Sequence, residues 1–162
     1  MSSTNTSDWP PKNVLCVGGV VIQEQRVLLV RQAAGTSLAG QWSVPWGLVE
    51  AGEPPHEAVV RETLEESGVT ARVQGLLGTQ SIGWHSATAL VYYLEPISGE
   101  PHGDGQETDA AAFFTADELE ALEDPIERWS QWLALRVFAR GNQQQFVLPE
   151  PENPFAPHMA FL

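Results

Sequence analysis

One segment of the chain carries a clear helix signal between long runs of strand-forming residues, and this signal constrains the fold most. It extends from about Pro54 to Ser67, with prolines at its start and Gly68 directly after it. Proline is well tolerated in the first helical turn, and glycine commonly adopts the left-handed conformation that ends a helix. The sequence therefore predicts one well-defined helix in the middle of a β-rich chain.

This helix has two distinct faces when its residues are placed at about 100° intervals. Glu62, Glu65 and Glu66 share one face, because they follow the i, i+3, i+4 spacing of neighbours on a helix. Another face contains Val59, Val60, Thr63 and Leu64. We expect the apolar face to pack on a sheet, so that the three carboxylates project together.

The regions on either side of the helix favour strands. Residues 13–22 and 26–32 are two β-rich runs joined by a short polar turn, which is typical of a hairpin. Further strands are predicted at 69–82, 87–97 and 110–114. A mixture of strands with a few helices predicts an α/β (α+β) sandwich.

Two more helix signals follow the last predicted strand. Thr115 and Glu118 have the spacing of a capping box, which predicts a brief helix. A longer helix is predicted to begin at Asp124–Glu127 and to end near Arg140.

We divide the chain into one domain with two extensions. Residues 1–12 are polar and end in two prolines, so we expect a flexible N-terminal arm. Residues 13–141 contain all the predicted strands and helices and form the domain. Residues 142–162 are rich in proline and apolar side chains, and we expect them to pack on the domain or on a partner. A homodimer is one arrangement that would cover this tail.

The charge balance limits the classes of partner. The chain carries 21 acidic and 8 basic side chains, a formal net charge of -13. Because an acidic surface repels a phosphate backbone, we expect no binding to long nucleic acid. A small anionic substrate remains compatible if something local reverses the field.

Three features favour a cytoplasmic protein without membrane attachment. Cys16 is the only cysteine, so no internal disulfide can form, and its apolar neighbours favour a core position. The first residues lack the apolar stretch of a signal peptide. No apolar run approaches the ~20 residues needed to span a bilayer.

The acidic face of the central helix has two interpretations. Like charges at i, i+4 cost only about 0.2–0.5 kcal/mol per exposed pair, so a solvated face or a partner contact can carry them. However, the segment 47–69 contains no lysine, and Arg61 is its only arginine. Clustered carboxylates supply the oxygen ligands that Mg²⁺ or Mn²⁺ selects. We therefore favour a divalent metal site.

The segment 47–69 resembles the Nudix box, G-x5-E-x7-R-E-U-x-E-E-x-G-U, where U is a bulky aliphatic residue. The matching residues are Gly47, Glu53, Arg61, Glu62, Glu65, Glu66, Gly68 and Val69. Thr63 departs from the pattern, because the family prefers an aliphatic residue at that position. Trp46 also departs, because relatives often have a glycine before the first glycine of the box.

This resemblance implies both a fold and an activity. Nudix proteins have a mixed β-sheet between helices, and the predicted elements fit that α/β/α sandwich over most of residues 13–140. Nudix enzymes hydrolyse a nucleoside diphosphate linked to another group, using Mg²⁺ or Mn²⁺ and a water molecule that attacks phosphorus. The alternative is a non-catalytic Nudix-like module that binds or senses a nucleotide.

Matching positions imply roles for the acidic residues. Glu62, Glu65, Glu66 and the backbone carbonyl of Trp46 are the expected metal ligands, and Glu62 or Glu66 could also act on the attacking water. An acid outside the box often contributes in this family, and Glu107 is our candidate for it. A loop surface position is the alternative for Glu107. Asp109 stands behind it as a second choice.

Other positions are expected to support the site or to contact substrate. Glu53 and Arg61 should pair and hold the loop against the helix, and the residues of this supporting group are Gly47, Glu53, Arg61 and Gly68. Aromatic side chains in loops can stack on a nucleobase, and a basic residue can meet phosphate. The candidate substrate contacts are Arg31, Trp42, Trp84 and His85, although a surface charge or an ordinary loop residue is the alternative for Arg31 and His85.

Overall fold

A mixed sheet between helices forms the framework of the protein. The structure, a computed structural model, describes residues 14–82, 87–140 and the backbone of 160–161. The strands are β1 Val14–Gln23, β2 Arg26–Gln32, β3 Trp42–Ser43, β4 Trp46–Leu48, β5 Thr70–Ile82, β6 Ala87–Ser98, β7 Thr108–Phe114 and β8 Ala160–Phe161. The helices are α1 Pro55–Ser67, α2 Ala116–Glu120 and α3 Arg128–Arg140.

The described strands form one sheet in the order β3-β2-β1-β6-β5-β8, with β4 added beside β1 and β7 beside β2. Strands β1 and β6 run parallel, and the other pairs are antiparallel. Glu24 and Gln25 form the turn between β1 and β2 with positive φ angles, as a tight hairpin turn requires. The hairpin predicted from the sequence is confirmed.

Each face of the sheet buries an apolar layer, because successive side chains of a strand point to opposite sides. The layer that contains α1 residues includes Val17, Val21, Leu28, Val59 and Leu94. The layer that contains α3 residues includes Cys16, Val20, Leu29, Trp129, Leu133 and Val137. This α/β/α arrangement confirms the predicted fold class.

Helix α1 has the ends that the sequence predicts. Pro54 precedes it with an extended backbone, and Gly68 ends it at a φ of 69°. The Gly68 N–H donates to the carbonyl of Leu64 at 2.9 Å. The positive φ angle favours glycine there, and a Cβ at this position would also displace the ring of His102.

Val59 and Thr63 of the predicted apolar face of α1 are buried, but the prediction is wrong for Leu64. Leu64 is 45% exposed, whereas Glu62 and Glu66 retain only 9% and 4% of their accessible surface. The buried stripe of the helix is Ala58, Val59, Glu62, Thr63, Glu66 and Ser67. The reason is that β4 and β7 also contact α1, so the covered face is wider than apolar patterning suggests.

The later helices follow their predicted signals. Thr115 and Glu118 form a capping box at the start of α2. The carboxylate of Glu127 accepts hydrogen bonds from the backbone N–H groups of Trp129 and Ser130 at the start of α3. Both helices are therefore held at their first turn by local side-chain contacts.

The two extensions fall largely outside the described residues. Ala160 and Phe161 pair with Gln80 and Thr79 at the edge of β5. The predicted arm at 1–12 and the rest of the tail at 142–162 lie outside the described ranges, so the domain boundaries remain a prediction. In the part of the chain that is described, no helix is both long enough and apolar enough to cross a lipid bilayer.

Candidate active site

A cleft of about 840 Å³ lies beside the acidic helix. Helix α1 contributes Glu62, Glu65 and Glu66 to its lining, and the segment before β7 contributes Glu107. The rest of the lining is Gln32, Thr36, Trp46, Gly47, Leu48, Glu50, Arg61, Asp104 and Gln106. The fold thus brings the acids of segment 47–69 together with an acid more than forty residues later in the chain.

Glu66 is the most deeply buried acid of the cleft. Its Oε2 accepts a hydrogen bond from the backbone N–H of Trp46 at 3.0 Å. Burial raises the pKa of Glu66 to about 8; the Trp46 N–H opposes the rise, and the nearby charges of Glu62, Glu107 and Asp104 add to it. Without a cation beside it, this carboxyl group holds a proton at neutral pH.

Glu62 lies directly over Gly47 of strand β4. A Cβ at Gly47 would overlap the Glu62 carboxylate, so glycine is what allows this carboxylate to lie against the strand. Burial raises the pKa of Glu62, while its 2.9 Å hydrogen bond from Arg61 opposes the rise. The pairing of Gly47 with Val17 of β1 fixes the strand that the carboxylate contacts.

Arg61 binds several oxygen atoms at once. Its Nε and Nη2 donate to the two carboxylate oxygens of Glu53 at 2.8 and 2.9 Å, and Nη2 also donates to the carbonyl of Leu48 at 3.1 Å. Its Nη1 donates to Glu62 at 2.9 Å and to Glu65 at 3.1 Å. Hydrogen bonds from Arg61 are the main cause that lowers the pKa of Glu53 to about 2. The arginine therefore ties the loop after β4 to the helix.

The two unusual residues of the segment are accommodated in different ways. Thr63 is fully buried, close to Gly19 of β1, and its hydroxyl donates to the carbonyl of Val59 at 2.7 Å. The buried hydroxyl is therefore satisfied. Trp46 of β4 pairs with Gly18 of β1. Its backbone N–H donates a hydrogen bond to the Glu66 carboxylate in the cleft.

Glu107 and Asp109 serve different parts of the fold. Glu107 is exposed at the cleft, and its carbonyl accepts a hydrogen bond from the N–H of Ala33 at 2.8 Å. Asp109 accepts a hydrogen bond from Nε of Arg31 at 2.7 Å instead. The register between β2 and β7 shifts at Arg31 and Gln32, and such a bulge redirects side chains on either side of it.

Arg31 and Trp42 do not line the cleft that holds the acids. Besides Asp109, Arg31 reaches Asp124 at 3.4 Å, and its guanidinium lies 5.9 Å from the centre of the Trp42 ring. Trp42 is buried, donates from Nε1 to Asp124 at 3.2 Å and packs edge-on against Phe114. Arg31 and Trp42, which the sequence predicts to contact substrate, therefore lie apart from the acids of the cleft. The other two predicted substrate contacts, Trp84 and His85, lie outside the described residues.

Comparison with known proteins decides the family. The model of the NUDIX domain matches residues 12–133. The chain belongs to the Nudix family. This confirms the resemblance read from the segment 47–69, and the chain is a Nudix hydrolase.

Relatives and solved structures agree with this membership. A MutT-like protein of Streptomyces ambofaciens is 32% identical over 138 residues, which cover 85% of this chain and 82% of that protein. An ADP-ribose pyrophosphatase of Methanocaldococcus jannaschii is 31% identical over 126 residues, 73% of each chain. A Nudix hydrolase from Nitrosomonas europaea superposes with a TM-score of 0.71 at 22% identity, covering 80% of this chain and 73% of that one. This last likeness shows the shared fold.

The acids of the Nudix box suit a divalent cation by their chemistry. Every side-chain donor among them is a carboxylate oxygen, which Mg²⁺ and Mn²⁺ prefer. Among the described residues, however, no three side chains of His, Cys, Asp or Glu converge closely enough to hold an ion. Arg61 engages Glu62 and Glu65, and the Trp46 N–H engages Glu66. The donor chemistry therefore suits a divalent cation, but in this structure these other partners hold the side chains.

Sequence reasoning missed several residues of the Nudix cleft. Gln32, Thr36 and Gln106 line it without any pattern that marks them in advance. Asp104 also lines it, and here a signal existed, because it stands between Gly103 and Gly105 in a polar loop. An aspartate between two glycines is typical of a turn held by its own side chain.

Proposed function

We propose that the chain hydrolyses the pyrophosphate bond of a nucleoside diphosphate linked to another group, with Mg²⁺ or Mn²⁺ as cofactor. The supporting observation is the cleft in which the buried box glutamates and Glu107 meet. The ADP-ribose pyrophosphatase among its relatives supports a diphosphate substrate. Hydrolysis breaks one bond between phosphorus and the bridging oxygen and adds the elements of water across it.

The proposed metal ligands are Glu62, Glu65, Glu66 and the backbone carbonyl of Trp46. A bound divalent ion would offset the carboxylate charge, hold phosphate oxygens and lower the pKa of a water molecule. The protein supplies the position of these oxygens, because Glu62 rests on Gly47 and Glu66 is held by the Trp46 N–H. Positioning and charge stabilisation account for most of the catalysis in phosphoryl chemistry.

Glu107 is the proposed acceptor of the proton from the attacking water. It is exposed at the cleft, so a proton taken there can pass directly to solvent. Glu66 and Glu62 are the other carboxylates able to act on this water, but their burial restricts exchange with solvent. The general-base contribution in enzymes is about 10²–10⁴-fold in rate.

The test is formation of a nucleoside monophosphate from a panel of nucleoside diphosphate derivatives and nucleoside triphosphates, with Mg²⁺, with Mn²⁺ and with chelator. Glu65→Gln and Glu66→Gln should abolish most of this product formation, whereas Glu57→Gln should not. Glu57 is a suitable control because it lies on the same helix, is exposed and is absent from the cleft lining. Equal activity in the Glu66 and Glu57 variants would show that the proposed site is wrong.

The rival interpretation is a Nudix-like module that binds a nucleotide without cleaving it. Calorimetry with the same panel separates the two, because the module binds a ligand while no nucleoside monophosphate is formed. A cytoplasmic location and a homodimer remain predictions, and sedimentation velocity tests the second.

A further inference from the structure

Asp104 holds the loop that carries Glu107. One of its carboxylate oxygens, Oδ1, accepts hydrogen bonds from the backbone N–H groups of Gln106, Glu107 and Thr108 at 2.8, 2.9 and 2.8 Å. Three donors from consecutive residues on one acceptor fix the backbone over that whole stretch. The Asp104 side chain therefore fixes the backbone from which the Glu107 side chain projects.

The same loop is attached to the end of helix α1. The hydroxyl of Thr108 donates to the backbone carbonyl of Glu66 at 2.6 Å and accepts from the N–H of Asp104 at 3.1 Å. The N–H of His102 donates to the carbonyl of Ser67 at 2.9 Å. These bonds link the loop to the helical turn that carries Glu66.

We propose that Asp104 is a positioning residue that places the Glu107 carboxylate in the cleft by accepting backbone hydrogen bonds through Oδ1. Glu107 is exposed, so burial does not hold it and its position depends on the backbone beneath it. This inference rests on the proposed role of Glu107 in hydrolysis. It assigns Asp104 neither a metal ion nor a proton, although the residue lines the cleft.

Two substitutions distinguish the acceptor oxygen of Asp104 from its negative charge. Asp104→Asn keeps an oxygen at the Oδ1 position and removes the negative charge, whereas Asp104→Ala removes both. We expect Asp104→Asn to keep most of the wild-type kcat. Asp104→Ala should lower kcat by about 10–100-fold, the usual scale for a group that orients another, with a smaller change in KM. Asp117→Ala is the matched control, because Asp117 is an exposed aspartate on α2 outside the cleft lining.

Combination with Glu107→Gln tests whether Asp104 acts through Glu107. If it does, Asp104→Ala has little further effect once Glu107 is replaced, because residues that act as a unit are strongly non-additive. Multiplicative losses in the double variant would overturn the proposal. Equal losses in Asp104→Asn and Asp104→Ala would also overturn it, since the charge of Asp104 would then be what matters.

Amide hydrogen exchange at residues 106–108 supplies a readout that does not depend on activity. Asp104→Ala should expose these three N–H groups to exchange, and Asp104→Asn should leave them protected. Unchanged protection in Asp104→Ala would overturn the proposal. If the wild-type protein cleaves no substrate, the proposed function fails, while the exchange data still decide whether Asp104 fixes the loop.

Discussion

Two glutamates of the same Nudix box, Glu53 and Glu66, lie in opposite electrostatic environments. Hydrogen bonds from Arg61 are the main cause that brings the pKa of Glu53 to about 2. Burial is the main cause that brings the pKa of Glu66 to about 8. Arg61 donates a hydrogen bond to each carboxylate oxygen of Glu53. Glu66 instead has the acidic side chains of Glu62, Glu107 and Asp104 near it.

The difference shows which carboxylates support the cleft and which are available for chemistry. Glu53 is engaged by both ends of a guanidinium fork, so it stabilises the loop after β4. Glu66 is buried without a cation beside it, and groups with strongly perturbed pKa values in a cleft mark functional sites. Burial also raises the pKa of Glu62, although Arg61 pairs with it. A cation in the cleft would provide for Glu66 what Arg61 provides for Glu53.

The largest effect is expected from Glu66→Gln, which removes the buried carboxylate that has no cation beside it. We expect kcat to fall by about 10²–10⁴-fold, the range of catalytic acid and base groups. The metal-free variant should also unfold at a higher temperature than the wild type above pH 8, because no buried charge has to form. Steady-state kinetics and thermal unfolding in chelator measure the two effects. A Glu66→Gln variant with full activity would contradict the assignment.

A smaller loss of activity is expected from Glu53→Gln, which weakens the pairing of residue 53 with Arg61. The variant loses the charge that pairs with Arg61, so the loop after β4 is held less firmly against the helix. We expect kcat to fall by about 10–100-fold, as for other residues that orient a catalytic group. Calorimetric Mn²⁺ affinity should fall less than in Glu66→Gln. A larger loss of Mn²⁺ affinity in Glu53→Gln than in Glu66→Gln would contradict the assignment of Glu53 to support and Glu66 to metal binding.

Gly47→Ala tests the support of Glu62. The added methyl group would overlap the Glu62 carboxylate, so this side chain must leave its place against the strand, or the helix and strand must separate. Overpacking of this kind costs about 1–3 kcal/mol in the free energy of unfolding. Gly75→Ala is the control, because a Cβ there meets nothing within 4 Å. Chemical denaturation of the two variants should separate them, and equal stability would show that the contact with Glu62 is not tight.

The buried Glu66 carboxyl group should also make the stability of the metal-free protein depend on pH. The Glu66 carboxyl titrates near 8 when folded, against an ordinary value of 4.5. Between these values the folded state holds a proton that the unfolded state has released, so the stability contributed by this group falls as the pH rises. Thermal unfolding in chelator from pH 5 to pH 9 should show this decline. Glu66→Gln should flatten the curve, and an unchanged slope would contradict the assignment.

The sequence predicts the elements around the site well where the signal is local. The ends of α1 follow from Pro54 and Gly68, and the capping box of α2 follows from Thr115 and Glu118. Each of these signals acts within a few residues of the chain, because capping bonds join backbone and side-chain groups of one turn. Neighbours from elsewhere in the fold do not change them.

Burial is predicted less well, because it depends on elements far away in the sequence. Leu64 belongs to the expected apolar face of α1 but is exposed, while Glu62 is covered by Gly47 of β4. Arg31 and Asp109 are 78 positions apart and form an ion pair, and neither lines the cleft that holds the acids. Neither arrangement leaves a periodic trace in the sequence.

The sequence by itself determined the family and the placement of several glutamates on one helix, because the spacing of the Nudix box is a local pattern. Only the tertiary structure decided which of these carboxylates are paired and which are buried without a counter-charge. That outcome depends on β4, on Arg61 and on the loop held by Asp104. The pKa of a carboxyl group is set by all of its neighbours in space, and chain position alone does not specify them.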